Sequence, residues 1–320
     1  FQFTGEGVGL KYVSGKRISF YISEQGSAGA EVTSGIVTDS LIVYLDASNS
    51  TSYSGSGTTW SDISGNSNNF TLNNSPTFTT ENGGAIVFDG INDFASAASD
   101  ATFFKFGTND YSFGAWVKFN GNFSNFQSVM SSGGSSSYGT WQMDWHSNAL
   151  RHIMKDTSGT SMNLVTTLNP SLDTWYYLFV VNDRSENELK FYIDGTLDTT
   201  HSNSGYGSTN IGASSGFNDF NIATNRGKNQ YLSSEIAQAH IYNGKALSAS
   251  EVLQNYNATK SNYTNIITTN LEVYINPNSY TSGTTVPDSS GNNRTYNLVN
   301  GVTHNTSPAR FTLDGTNDYL

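Results

Sequence analysis

Short runs of alternating apolar and polar residues recur along the chain, separated by clusters of Gly, Asn, Asp and Ser. That spacing predicts an all-β sandwich or barrel. The runs fall at Leu41–Asp46, Ala85–Asp89, Tyr111–Phe119 and Trp141–His146, and at residues 127–131, 150–155, 162–167, 175–182, 189–194 and 235–242. From Ser112 to Phe119, the residues Phe113, Ala115, Val117 and Phe119 share one face and Trp116 takes the other, which predicts a half-buried strand. Asp194-Gly195 is a favoured pair for a two-residue hairpin, because both central positions take positive φ. Residues 175–182, 189–194 and 197–200 therefore read as a meander. Helical signals gather in one place: Ser248 and Glu251 have capping-box spacing, and Val252, Leu253, Tyr256 and Thr259 follow at helical intervals. A short closing helix is expected to end near Lys260, with a linker over residues 261–269.

The pattern also repeats. Leu41-Ile42-Val43-Tyr44-Leu45-Asp46 is echoed by Leu271-Glu272-Val273-Tyr274-Ile275-Asn276, an offset of 230. Asp62-Ile63-Ser64-Gly65-Asn66 is echoed by Asp288-Ser289-Ser290-Gly291-Asn292 at 226, and Asp89-Gly90-Ile91-Asn92-Asp93 by Asp314-Gly315-Thr316-Asn317-Asp318 at 225. Three motifs in one order at nearly constant offset indicate a tandem of whole domains, since the period far exceeds that of solenoid repeats. The expected organisation is an N-terminal arm or the end of an upstream domain over residues 1–38, a complete sandwich over 39–262, and a linker with the start of a second sandwich over 263–320. Half a sandwich leaves strand edges uncovered, so the protein is expected to continue, or to complete its sheet on a neighbouring chain.

Composition narrows the function classes. Asp and Glu number 26 against 15 Lys and Arg, a balance unsuited to neutralising a run of phosphates, so nucleic acid is not an expected partner. There is no Cys, which removes disulfides, thiolate metal sites and a Cys nucleophile. No apolar stretch approaches the roughly 18 residues of a transmembrane helix, and membrane insertion is not expected. The 18 Tyr and 19 Phe argue against disorder and for β structure.

Six motifs occur in order: Leu41-Ile42-Val43-Tyr44-Leu45-Asp46-Ala47, Gly57-Thr58-Thr59-Trp60-Ser61-Asp62, Gly83-Gly84-Ala85-Ile86-Val87-Phe88-Asp89-Gly90, Trp175-Tyr176-Tyr177, Lys190-Phe191-Tyr192-Ile193-Asp194-Gly195 and Ile236-Ala237-Gln238-Ala239-His240-Ile241-Tyr242. Together they resemble the laminin-G-like members of the concanavalin-A-like jelly-roll superfamily. The resemblance implies two antiparallel sheets, one of them concave, with one short helix. It also implies a carbohydrate- or protein-binding module of a secreted, cell-surface or virion protein. The Ser-, Asn- and Gly-rich flavour with a partial tandem copy is similar to modules of tailed-bacteriophage structural proteins. The implied function is a non-enzymatic virion surface component, such as a tail fibre or decoration protein, contacting host-surface glycans or neighbouring virion proteins. Homo-oligomers fit this reading. A secreted or cell-surface bacterial adhesin is the alternative, as is an accessory carbohydrate-binding module of a larger polysaccharide-active enzyme.

Two constellations carry candidate chemistry. Trp141, Met143 and Trp145 alternate with Gln142, Asp144 and His146, and an indole face beside hydrogen-bonding groups suits a sugar ring, which makes Trp141, Asp144, Trp145 and His146 candidate ligand-binding residues. The competing reading is favoured: aromatics at period two are ordinary inter-sheet core, and the opposite face is a solvated strand surface. Asp62, Asn66, Asp89 and Asp93 are loop oxygen donors of the kind Ca²⁺ takes in sets of about 6 to 8. Asp and Asn also close turns by bonding nearby backbone, and that reading leads. No Glu-x-Asp-x-x-Glu run, His-Glu-x-x-His spacing or Gly-x-Ser-x-Gly elbow is present, so no catalytic residues are assigned.

Overall fold

The computed structural model describes residues 35–98, 102–121, 123–124, 126–132, 140–156, 161–202, 210–211, 220–263, 280, 282–287, 295–299, 302–306 and 309–312. The chain divides into two units, Gly35–Thr264 and a second formed by Phe1–Ser34 with Asn265–Leu320. The echoes at 271–276, 288–292 and 314–318 lie outside the described residues.

The larger unit begins with β1 (Leu41–Asp46), β2 (Thr59–Trp60), β3 (Phe70–Asn73), β4 (Thr77–Thr79), β5 (Ala85–Asp89), β6 (Phe94–Ala97), β7 (Tyr111–Phe119) and β8 (Ser128–Ser132). It continues through β9 (Trp141–His146), β10 (Ala149–Lys155), β11 (Ser161–Val165), β12 (Trp175–Asp183), β13 (Glu188–Ile193), β14 (Thr196–Ser202), β15 (Phe220–Ile222), β16 (Ser233–Asn243) and helix α1 (Ala249–Thr259). A first sheet runs β14-β13-β12-β7-β16-β5-β4, with β1 also paired on β16, and a second runs β11-β10-β9-β8-β15-β6-β3-β2. The described pairings in both are antiparallel. The two sheets form a β-sandwich with one short α-helix, as the alternating runs predict.

Side chains from both inner faces fill the space between the sheets: Phe113, Val117, Val180 and Phe191 from the first, Trp60, Phe70, Trp141 and Met143 from the second. Each fully buried side chain of this size contributes about 1.5–3 kcal/mol relative to exposure. Close approach is built into the sheet at Gly114, where an added Cβ would lie 2.2 Å from Phe179 Cδ2 and 2.4 Å from the Leu178 carbonyl. The Asp194-Gly195 hairpin has φ of 51° and 76° at its two central residues, the conformation that pair favours.

Two local expectations are corrected, and a set of short strands is added. The strand carrying Trp116 is buried on both faces rather than half-buried, because α1 and Tyr263 cover its outer side. Short strands β2, β3, β4, β6 and β15 are too brief for alternation to reveal. Helix α1 stops at Thr259 and passes into a 3₁₀ turn at Lys260–Asn262, so the start of the expected linker is structured. At its other end the capping box forms: Ser248 Oγ accepts the Glu251 N–H at 3.3 Å and Glu251 Oε2 accepts the Ser248 N–H at 2.8 Å.

The second unit contains β17 (Thr285–Pro287), β18 (Thr295–Asn297), β19 (Thr303–Thr306) and β20 (Ala309–Thr312). Its ladders reproduce registers of the first. Trp60↔Phe70 and Thr59↔Thr71 become Val286↔Tyr296 and Thr285↔Asn297, every residue shifted by 226. The Leu72 N–H donates to the Thr58 carbonyl at 2.7 Å, and the Leu298 N–H to the Thr284 carbonyl at 2.8 Å. The Tyr53 hydroxyl donates to the Gly57 carbonyl and its ring meets Phe78 at 5.3 Å. In the same way the Tyr280 hydroxyl donates to the Gly283 carbonyl, and its ring meets His304 at 4.9 Å.

Candidate functional site

The outer faces of the two sheets differ. On the first, Trp116, Trp175, Tyr177, Phe179 and Tyr242 form a second apolar cluster with Val252 of α1, Val37 and Tyr263. Val37, which the sequence places in the N-terminal arm, is fixed there by two bonds: its N–H donates to Asn255 Oδ1 at 2.7 Å, and its carbonyl accepts the Tyr242 hydroxyl at 2.8 Å. The second sheet instead presents a polar row. Directly opposed residues of antiparallel neighbours share a face. The row reads Thr59, Thr71, Ser96, Asn221, Ser131, Gln142, Ile153 and Asn163 across all its strands. An apolar alternation on one side only gives a sheet with one wet face, exposed here at Thr59, Thr71 and Asn163 and covered at Ser131 and Asn221.

A cleft of about 400 Å³ opens on this wet face. Its floor is Gln142 of β9 with Arg151, Ile153 and Lys155 of β10, and its wall is the Asn225–Gln230 loop that joins β15 to β16. Phe126, 43% exposed, forms part of the rim. The loop is closed by an Asn225 Oδ1 bond from the Asn229 N–H at 3.1 Å and an Asn225 Nδ2 bond to Asn229 Oδ1 at 2.8 Å. Thr140 is bonded to two basic residues of the lining: its carbonyl accepts the backbone N–H of Lys155 at 2.7 Å, and its hydroxyl accepts Arg226 Nη1 at 3.2 Å. No carboxylate is among the described lining residues, although the chain carries a net charge of −11.

The four candidate ligand residues divide by face. Trp141 and Trp145 turn inward: the Trp141 indole donates to the Phe104 carbonyl at 3.2 Å, and Trp145 stacks on Phe123 at 4.2 Å. Both are buried, so neither indole offers a sugar a free face. Asp144 faces outward beside the cleft but is itself buried, clamped by Arg151 through Nε at 2.8 Å and Nη2 at 3.3 Å, with Gln142 Nε2 at 2.5 Å. Burial pushes the Asp144 carboxyl above its ordinary value, and the Arg151 guanidinium opposes that rise. His146 sits against Phe126, with ring centroids 4.9 Å apart. Beneath the floor, burial holds His152 down to about 3; one ring nitrogen meets the Gln142 carbonyl at 3.1 Å and the other the Tyr111 hydroxyl at 3.2 Å.

The candidate calcium residues occupy two separate turns. Asp62 Oδ1 accepts the N–H groups of Tyr44 and Ser64, each at 2.8 Å, and Oδ2 accepts the Asn68 N–H and the Ser64 hydroxyl, each at 2.9 Å. Asn66 Nδ2 donates to the Leu41 carbonyl at 3.0 Å. Asp89 Oδ1 accepts the Ile91 N–H at 2.8 Å and those of Asn92 and Asp93 at longer range, while Asp93 Oδ2 accepts the Asp89 N–H at 3.3 Å. These carboxylates are engaged as turn closures. Among the described residues no group of three or more His, Asp or Glu converges as a metal site requires.

Sequence reasoning did not single out Arg151, Lys155, Arg226 or Phe126. The period-two spacing of Arg151, Ile153 and Lys155 was a usable signal for one face. Nothing in the sequence places Arg226 against a strand 71 residues earlier.

Residues 57–246, more than half of the chain, match the model of the family described as Clostridium neurotoxin, N-terminal receptor binding. Among solved structures, the binding domain of Paraclostridial Mosquitocidal Protein 1 is similar at 16% identity and a TM-score of 0.54, over 69% of this chain and 52% of that one. The ligand-binding domain of botulinum neurotoxin serotype D in complex with N-acetylneuraminic acid matches at 14% and 0.54, over 69% and 51%. The binding domain of botulinum neurotoxin DC in complex with rat synaptotagmin II matches at 15% and 0.53, over 70% and 52%. At these identities the likeness shows the fold, and the chain spans about half the length of the structures it matches. No curated protein sequence matches.

Proposed function

We propose that this chain, which belongs to the Clostridium neurotoxin N-terminal receptor-binding family, is a non-catalytic recognition module that attaches a larger protein to a surface glycan or protein receptor. The family match over residues 57–246 carries the reading. The similar toxin domains solved with a sialic acid and with synaptotagmin II support glycan and protein as the two partner classes. The open face of the second sheet is where this chain would make such contacts, because the outer face of the first is occupied by α1 and its neighbours. A glycan array together with a panel of intact cells tests the proposal. Selective binding to a subset of glycans or cells supports it, and uniform absence of binding by folded protein removes it.

The shared ladder registers at offset 226 support a finer reading: two tandem sandwiches in a multi-module surface protein, on a phage virion or on a bacterial cell. Mass spectrometry of purified particles separates these locations. Absence of the chain from every particle preparation removes the virion.

A further inference from the structure

We propose that the cleft between β9, β10 and the Asn225–Gln230 loop binds an acidic saccharide, one bearing a carboxylate or a sulfate. The inference rests on the receptor-binding reading and names the ligand class of that module.

Charge comes first. The chain is strongly acidic, yet the described lining of the cleft holds Arg151, Lys155 and Arg226 and no carboxylate. Asp144, which faces outward beside the floor, is consumed by two Arg151 nitrogens and by Gln142, so it does not compete for the cations. Arg151 in turn spends its remaining contact on Asn163 Oδ1 at 3.0 Å and acts as a structural base for the floor. Lys155 and Arg226 are left as the recognising pair: both line the cleft with Thr140, Lys155 bonded to it through the backbone and Arg226 through its guanidinium. A forked guanidinium beside a point ammonium suits a compact oxyanion.

The rest of the lining fits the remainder of a sugar. With Gln142 Nε2 and Asn229 Oδ1 already bonded within the site, Gln142 Oε1, Asn229 Nδ2 and the Gln230 amide serve hydroxyl groups, and the exposed Phe126 ring supplies an apolar surface for a C–H face. About 400 Å³ lies at the small end of ligand pockets and suits one or two sugar rings. A long polyanion such as nucleic acid fits poorly, because a chain of net charge −11 repels phosphates that extend past the cleft.

The test titrates the full chain with lactose, sialyllactose and sulfated lactose by calorimetry at low and high salt, beside cell binding by the same preparations. The expected result is binding of at least one acidic sugar, tenfold or more above lactose and weakened by salt. A Lys155→Ala/Arg226→Ala variant loses that binding tenfold or more with an unchanged melting temperature, whereas Asn74→Ala, in the turn between β3 and β4 and towards the opposite end of the strand order from β9 and β10, keeps it. A carboxylate ligand favours sialyllactose and a sulfate ligand the sulfated sugar. Equal binding of lactose, or acidic-sugar binding untouched by the double variant, overturns the proposal. Cell binding that persists in the double variant, with no acidic sugar bound, overturns the cleft and leaves the receptor reading standing. No binding to any cell or sugar removes that reading as well.

Discussion

The two outer faces of this sandwich show how one alternating pattern leads to opposite ends. On the first sheet the residues pointing away from the core are Trp116, Tyr177 and Phe179, and they are buried again by α1, Val37 and Tyr263. On the second sheet the equivalent positions are Thr71, Ser96, Ser131, Gln142 and Asn163, and a cleft forms over Gln142 and its β10 neighbour Ile153. The difference lies less in the strands than in what returns to cover them. A closing helix makes one face structural and leaves the other for recognition.

Truncating the covered face should cost most. Trp116 stacks near Tyr256 and Tyr263 and donates its indole N–H to Thr259 Oγ1 at 2.7 Å. Trp116→Ala is expected to destabilise the sandwich by about 3–5 kcal/mol in urea unfolding. On the open face, Asp144→Ala leaves the largely buried Arg151 guanidinium unpaired and should cost about 3 kcal/mol. A cost below about 1 kcal/mol would mean that this pair is solvated and the floor of the cleft is softer than described.

Acid should weaken the whole unit. Burial holds His152 and His240 neutral, each down to about 3. The unfolded chain binds these protons near pH 6.5, so their stabilisation is complete above that value and is lost as pH falls towards 3. By pH 5 each contributes a loss of about 2 kcal/mol. Denaturation midpoints between pH 7.5 and 5 check this, and His240→Gln should flatten the slope. The smallest effect concerns calcium: with Asp62 and Asp89 engaged by backbone N–H groups, chelation should leave the melting temperature unchanged. An upward shift on adding Ca²⁺ would show that these turns open to accept it.

Much of the fold was legible because its longer strands are apolar-rich runs bounded by Gly, Asn, Asp and Ser. β1, β5, β7 and β9 coincide with their alternating runs, and the capping box of α1 is local chemistry. Two-residue β2 and three-residue β15 were not legible, since a strand that short has no period. The site was less legible still. Asp144 and His146 were placed on the outward face, but their neighbours Arg151 and Lys155 come from the paired strand and Arg226 from a distant loop. Convergence of that kind depends on strand order, which alternation does not encode. The inward turn of Trp141 and Trp145 follows the core reading of period-two aromatics.

Hydrogen exchange of the full chain, with and without a saturating acidic trisaccharide such as sialyllactose, tests the central claim most directly. The account predicts slowed exchange in residues 140–155 and in the 225–230 loop, with α1 and the outer face of the first sheet unchanged. Protection centred on α1 and the strands beneath it, with 140–155 and 225–230 unaffected, would contradict the assignment of recognition to the open sheet.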